Sequence, residues 1–150
     1  YIIAKKNLGY SRGHNFLSRY VDTNYFLILN ADCLIDNYNI LVLKKKLIDF
    51  ENCGIVSPTS FDNINQITYN GGLLPENGEK NDPINLSGDI CTQSVLGSCL
   101  FMKIKHFRKI GKFNKNMFLF FSDDDMCKKF RSCTVSTTGI RSSNGKYFDV

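Results

Sequence analysis

Apolar positions along the chain fall into short runs divided by polar and glycine-rich stretches, and the sharpest boundary closes Tyr25–Leu29 on Asn30, Ala31 and Asp32. Phe26, Leu27, Ile28 and Leu29 are consecutive apolar residues, the pattern of a strand covered on both faces, as in a parallel sheet. Beyond them, Asp36 or Asn37 is placed to cap a helix running to about Glu51. Ile40, Leu43, Leu47 and Phe50 recur there at helical spacing, and Gly54 stands near its end. Residues 54–58 form a further short apolar run closed by Pro58. Strand, helix, strand is a βαβ unit, so the pattern predicts an α/β fold: a mostly parallel open sheet flanked by helices.

The other runs fit around that unit. Residues 1–4 read as a strand, followed by a tight loop over residues 7–15 and a helix at about residues 15–20. Gly9 and Gly13 sit in that loop among small polar residues, Asn7 and Asn15 included, and such a loop brings backbone close to a phosphate without matching GxGxxG or a P-loop. Residues 66–74 suggest a hairpin around Asn70, Gly71 and Gly72, and residues 75–89 a surface loop. Residues 92–104 return to strand character with Gly97 inside, where a missing side chain admits backbone or ligand. A short helix over residues 105–110 stops at Gly111. Finally, Ser122-Asp123-Asp124-Asp125 opens a helix bearing Met126, Cys127 and Phe130. Ser122 with Asp125 three residues on is a variant of the capping box, and acidic residues suit a helix's first turn.

Composition narrows this picture. The 150 residues are 43% hydrophobic, enough for one domain with a core of its own, and no apolar run reaches the ~18 residues of a membrane span. Six cysteines include no CxxC pair and several lie in apolar runs, which points to reduced, buried thiols. A soluble cytoplasmic protein is the expectation. The net charge of +5 suits an anionic small molecule or a peripheral contact at the inner face of a membrane, and nucleic acid is not an expected partner. Lys44, Lys45 and Lys46 fall outside most of the apolar stripe of their helix and read as a solvated face.

Two polar clusters carry candidate chemistry. In open α/β sheets, ligands sit at the carboxyl ends of strands, and a carboxylate such as Asp32 can hold a divalent cation against a substrate diphosphate. In the second cluster the cap accounts for Ser122 and Asp125, but not for Asp123 and Asp124, whose adjacent charges repel one another. Such a cluster suits a general base as well as a helix start. His14 reads as a hydrogen-bonding loop residue.

Taken together, Asn7-Leu8-Gly9 through Asn15, Leu29-Asn30-Ala31-Asp32, Gly97-Ser98-Cys99-Leu100-Phe101, Ile110-Gly111-Lys112-Phe113-Asn114 and residues 118–127 resemble, in order and spacing, family 2 inverting glycosyltransferases, particularly their rhamnosyltransferase-like branch. The resemblance covers about residues 1–131 and implies a GT-A, Rossmann-like domain there, with residues 132–150 a divergent tail. It implies a nucleotide-diphosphate sugar as donor, a divalent cation such as Mg or Mn, a saccharide or lipid-linked acceptor, and a place in polysaccharide biosynthesis. Asn30 and Asp32 fall at the family's DxD-type position, which implies that Asp32 holds metal and diphosphate. Asp123 falls at the aspartate of the family's Glu-Asp pair, which implies the catalytic base. Ser122 stands where that pair has Glu, the family's histidine after this region has no counterpart, and the family's first strand, helix and strand are missing before Tyr1. A nucleotide- or sugar-binding remnant without turnover, or a partner module in polysaccharide assembly, is therefore the alternative. A Mg-dependent phosphohydrolase would need a nucleophilic DxDx[TV] after a first strand, and none is found.

Overall fold

A computed structural model describes residues 1–51, 53–61, 67–69, 89–132 and 136–140. In chain order these form α1 (Gly9–Leu17, continued by a 3-10 turn at Ser18–Tyr20), β1 (Tyr25–Leu29), α2 (Asn37–Asp49), β2 (Cys53–Pro58), β3 (Ser60–Phe61), β4 (Ile67–Tyr69), β5 (Ile90–Thr92), β6 (Cys99–Lys103), α3 (Ile104–Lys109), α4 (Ser122–Ser132) and β7 (Ser136–Ile140). Five strands make one open sheet in the order β1-β6-β2-β7-β5, and β3 pairs with β4 apart from it.

The α/β class and the open sheet agree with the sequence pattern, but the strand directions do not. β6 runs antiparallel to both of its neighbours, β1 and β2, and β5 is antiparallel to β7; only β2 and β7 pair in parallel. The βαβ reading was sound for direction, since β1 and β2 do run the same way. They are not neighbours, however, because β6 occupies the slot between them. Its arrival from late in the chain turns what the crossover alone would make parallel into a mixed sheet.

The same insertion moves burial away from β1. β1 lies at the rim of the described sheet, with only Ile28 fully buried and Leu29 exposed, whereas Cys99, Leu100, Phe101 and Met102 of β6 are all buried. Alternation along β6 then sorts the core into two layers. Leu100 and Met102 join Ile28, Ile55, Phe107, Phe113, Met126 and Phe130 on the face covered by α3 and α4. Cys99 and Phe101 join Cys33, Leu43, Leu47 and Val56 on the face covered by α2.

Local elements follow their sequence signals to differing degrees. Asp36 caps α2 by accepting from the Asn39 amide at 2.8 Å, and Leu43 and Leu47 point inward as their spacing predicts, while Phe50 ends the helix half-exposed. Lys45 pairs with Asp49 and Lys46 with Asp89, in keeping with a solvated face. Gly111, at φ +86°, follows α3 as expected. Cys33, Cys53, Cys99 and Cys127 are buried thiols outside any disulfide. Residues 1–4 form no strand, and Ile3 is exposed. Residues 9–17, expected to be mostly loop, are already helix. Within the stretch expected to be a divergent tail, β7 lies beyond residue 131 and sits inside the sheet between β2 and β5. The hairpin turn at residues 70–72 and most of the loop at residues 75–89 fall outside the described residues.

Candidate active site

Two backbone junctions gather the candidate residues at one edge of the sheet. Where β1 ends, the Asn30 amide donates to the Ser98 carbonyl at 2.8 Å, and the Cys33 amide donates back to the Asn30 carbonyl at 3.1 Å. Residues 30–33 thus form a turn fastened to the segment leading into β6. Asp32 is exposed on this turn, its carboxylate 3.8 Å from the Cys33 thiol, which burial pushes up and keeps protonated.

Gly97, one residue before Ser98, links that edge to α4. Its amide donates to Asp123 Oδ2 at 3.0 Å, and its carbonyl accepts from the Tyr10 hydroxyl at 2.6 Å. A Cβ at this position would stand 3.1 Å from Tyr10 Oη and 3.2 Å from Asp123 Oδ2, so any side chain here would push Tyr10 or Asp123 back by a few tenths of an ångström. Burial, and after it the Asp123 charge, holds the Tyr10 hydroxyl well above its ordinary range. It remains a donor. Asp123 Oδ1 accepts from the Asp124 amide at 3.0 Å. A carboxylate has roughly four lone-pair sites, so Asp123, half-buried at the start of α4, retains acceptor capacity toward a hydroxyl.

The neighbours of Asp123 are assigned differently from the sequence expectation. Ser122 is buried and shares a 2.7 Å hydrogen bond with the Ser11 hydroxyl, tying α4 to α1 instead of capping it. Asp125 pairs with Lys129 at 2.7 Å, one turn along the helix. Asp124 is buried and accepts from the Ser94 hydroxyl at 2.6 Å. Of the three adjacent carboxylates, the polar bonds of Asp123 alone reach the Gly97 junction.

The candidates of the first motif cluster around α1. Asn7 Oδ1 accepts from the Gly9 amide at 2.8 Å, and Gly9 adopts φ +70° with the Phe118 carbonyl pressed against it. Asn7, Gly9 and Gly13 line a cavity of about 260 Å³ together with Lys6 and Phe16. Asn15 is buried, and its amide both donates to the Phe113 carbonyl and accepts from the Phe113 amide, so its polar atoms serve packing. It also borders a second cavity of about 440 Å³. His14 donates through Nδ1 to the Tyr10 carbonyl and packs against the rings of Tyr10 and Phe113; burial lowers its pKa.

Tyr10, Ser11, Ser94 and Ser98 complete the arrangement without having been singled out from sequence. Tyr10, Ser11 and Ser98 lie inside the quoted motifs. Ser11 and Ser94 act through contacts with residues 111 and 30 positions away, for which a single sequence carries no signal.

Among the described residues no group of three or more His, Cys, Asp or Glu side chains forms a ready metal site. The oxygen donors of Asp32 and Asn30 nonetheless suit a hard divalent cation. Mg or Mn is commonly held by one or two carboxylates and completed by substrate phosphate and water.

No family model and no curated protein sequence matches the chain. Among solved structures, the chain is similar to that of GalNAc-T7 with UDP, GalNAc and Mn2+, at a TM-score of 0.66 and 10% identity, over 93% of this chain and 31% of that one. The likeness shows a shared fold. The chain spans about a third of the length of that structure.

Proposed function

We propose that the protein is a glycosyltransferase that moves a sugar from a nucleotide-diphosphate donor to a saccharide or lipid-linked acceptor with inversion. The observation that carries this reading is the Asp123 carboxylate, fixed by the Gly97 amide beside the strand end that holds Asn30 and Asp32. It gains support from a fold shared with a structure that contains UDP, GalNAc and Mn2+. The order and spacing of the five sequence motifs favour the family 2, rhamnosyltransferase-like branch and a cytoplasmic role in polysaccharide biosynthesis.

In this reading Asp123 takes the proton from the acceptor hydroxyl as that oxygen attacks the sugar carbon. The Gly97 peptide holds the carboxylate in place, and Tyr10 fixes the peptide from its other side. Asp32, with Asn30, would hold a divalent cation, which when bound supplies charge stabilisation to the departing diphosphate. Asn7, Gly9 and Gly13 line a separate cavity that fits part of the donor. Direct displacement at the sugar carbon gives the opposite anomer in the product, which nuclear magnetic resonance of the glycoside reads directly. A product of unchanged configuration would remove inversion from the proposal.

One observation favours a second reading. The position at which the family carries Glu is Ser122, and its hydroxyl is turned inward to Ser11. A binding domain without turnover would bind nucleotide diphosphate in the presence of manganese and release no free nucleotide with any acceptor. Calorimetry and a coupled nucleotide-release assay on the same preparation separate the two.

A further inference from the structure

Four consecutive large apolar side chains face solvent immediately before the α4 carboxylates: Phe118 is 58% exposed, Leu119 54%, Phe120 75% and Phe121 67%. Their backbone is pinned. The Phe118 carbonyl accepts from the Tyr10 amide at 2.7 Å, and Gly9, having no side chain, lets that carbonyl approach. At the other end the Phe121 carbonyl accepts from the Asp125 amide while Phe121 itself adopts φ +60°, a conformation that bulky residues rarely enter. A contiguous apolar patch held outward in this way marks an interaction surface.

Beside the patch, Arg12, Arg19 and Lys115 line the 440 Å³ cavity together with Leu8, Phe16 and Asn116. The Arg12 Nε donates to the Lys115 carbonyl at 2.8 Å, which fastens the segment leading into the patch to α1. None of the three acidic residues that follow lines this cavity: Asp124 is buried against Ser94, Asp125 is paired with Lys129 and Asp123 is bonded to the Gly97 amide. Aromatic and aliphatic side chains flanked by cations match the chemistry of a bilayer interface, in which rings enter the headgroup region and cations meet anionic phosphate.

We propose that residues 118–121, with Arg12, Arg19 and Lys115, dock the protein on an anionic phospholipid bilayer. Docking does not depend on the transferase reading. If both hold, Asp123 stands two residues from the inserted patch, where an acceptor hydroxyl carried on a lipid would meet it.

The full chain is tested by sedimentation with vesicles of phosphatidylcholine alone and of a roughly three-to-one mixture with phosphatidylglycerol. The protein should sediment with the mixed vesicles only, and less as salt is raised. Leu119→Ser combined with Phe120→Ser, and separately Arg19→Gln combined with Lys115→Gln, should each lower the bound fraction at least about tenfold with an unchanged melting curve. The chain contains no tryptophan, so Phe120→Trp gives an emission that reports on this position alone. Mixed vesicles should shift that emission to the blue, and brominated lipid should quench it. Absence of sedimentation, wild-type binding by both double variants, or an unshifted emission would overturn the proposal. So would a concentration-dependent dimer that ignores vesicles and dissociates on the Leu119 and Phe120 substitutions, which would give this face to a second copy of the chain.

Discussion

Asp123 differs from its neighbours in what its oxygens touch, and that difference is measurable. Asp123→Asn keeps the shape of the side chain and removes its affinity for a proton, so transfer should fall about a hundredfold or more while nucleotide binding and the melting temperature hardly move. Substantial turnover in this variant would place the base elsewhere. Asp125→Asn breaks only the partly exposed pair with Lys129, and should cost about 0.3–0.5 kcal/mol in a melting experiment with transfer intact. Gly97→Ala is predicted to act through position, since its methyl would crowd the Asp123 carboxylate and Tyr10 together. A displacement of this kind should lower kcat about a hundredfold, with little effect on donor affinity by calorimetry. Much of this was legible in the sequence, because glycine before an apolar strand and acidic residues before an apolar helix are local signals. The assignment of Ser122 was not, because its partner Ser11 comes from another helix and a capping-box pattern looks the same whether or not the cap forms.

At the scale of elements, α1 shows where a local reading ends. Gly9 and Gly13 argue for a loop by propensity, yet residues 9–17 are helical because α1 is anchored from outside, by Asn15 on Phe113 and by Tyr10 on Phe118 and Gly97. Gly13 needs no special backbone there, whereas Gly9 does. Gly9→Ala should destabilise the fold by about 1–3 kcal/mol in thermal melts, through a strained φ and a methyl directed into the Phe118 carbonyl. The same helix, together with α3, carries a pH-dependent part of the stability. Burial lowers the pKa of His14, only partly offset by its bond to the Tyr10 carbonyl, and burial followed by Lys103, Lys109 and Lys105 lowers that of His106. The folded chain therefore resists a proton that the unfolded chain accepts near pH 6.5, so stability is full above that value and falls as the pH drops toward the folded pKa values. Melting temperature should decline on acidification from neutrality toward pH 5, less steeply in His14→Gln. An equal slope in both proteins would show that His14 does not contribute.

At the scale of the whole molecule, a strand's place in the sheet depends on contacts remote in sequence, and here the local pattern had least to offer. An uninterrupted apolar run predicts burial on both faces, which holds for Cys99–Met102 of β6 and fails for β1, although both runs are apolar throughout. Neighbours decide the difference: β6 has a strand on each side, and β1 is paired on one side among the described residues. The same reasoning applies to residues 136–140, whose sequence Ser-Thr-Thr-Gly-Ile carries no apolar strand pattern of its own. As β7 they are hydrogen-bonded to β2 on one side and β5 on the other, and a strand in that slot forms bonds along its whole length whatever its side chains prefer. Deleting residues 133–150 would strip β2 of its parallel partner, expose the backbone groups of an inner strand and leave β5 unpaired from the sheet. We therefore expect the truncated chain to lose cooperative thermal unfolding and to aggregate. A fully folded truncation, with a melting curve and circular dichroism matching those of the intact chain, would show instead that β1, β6 and β2 close the fold without β7.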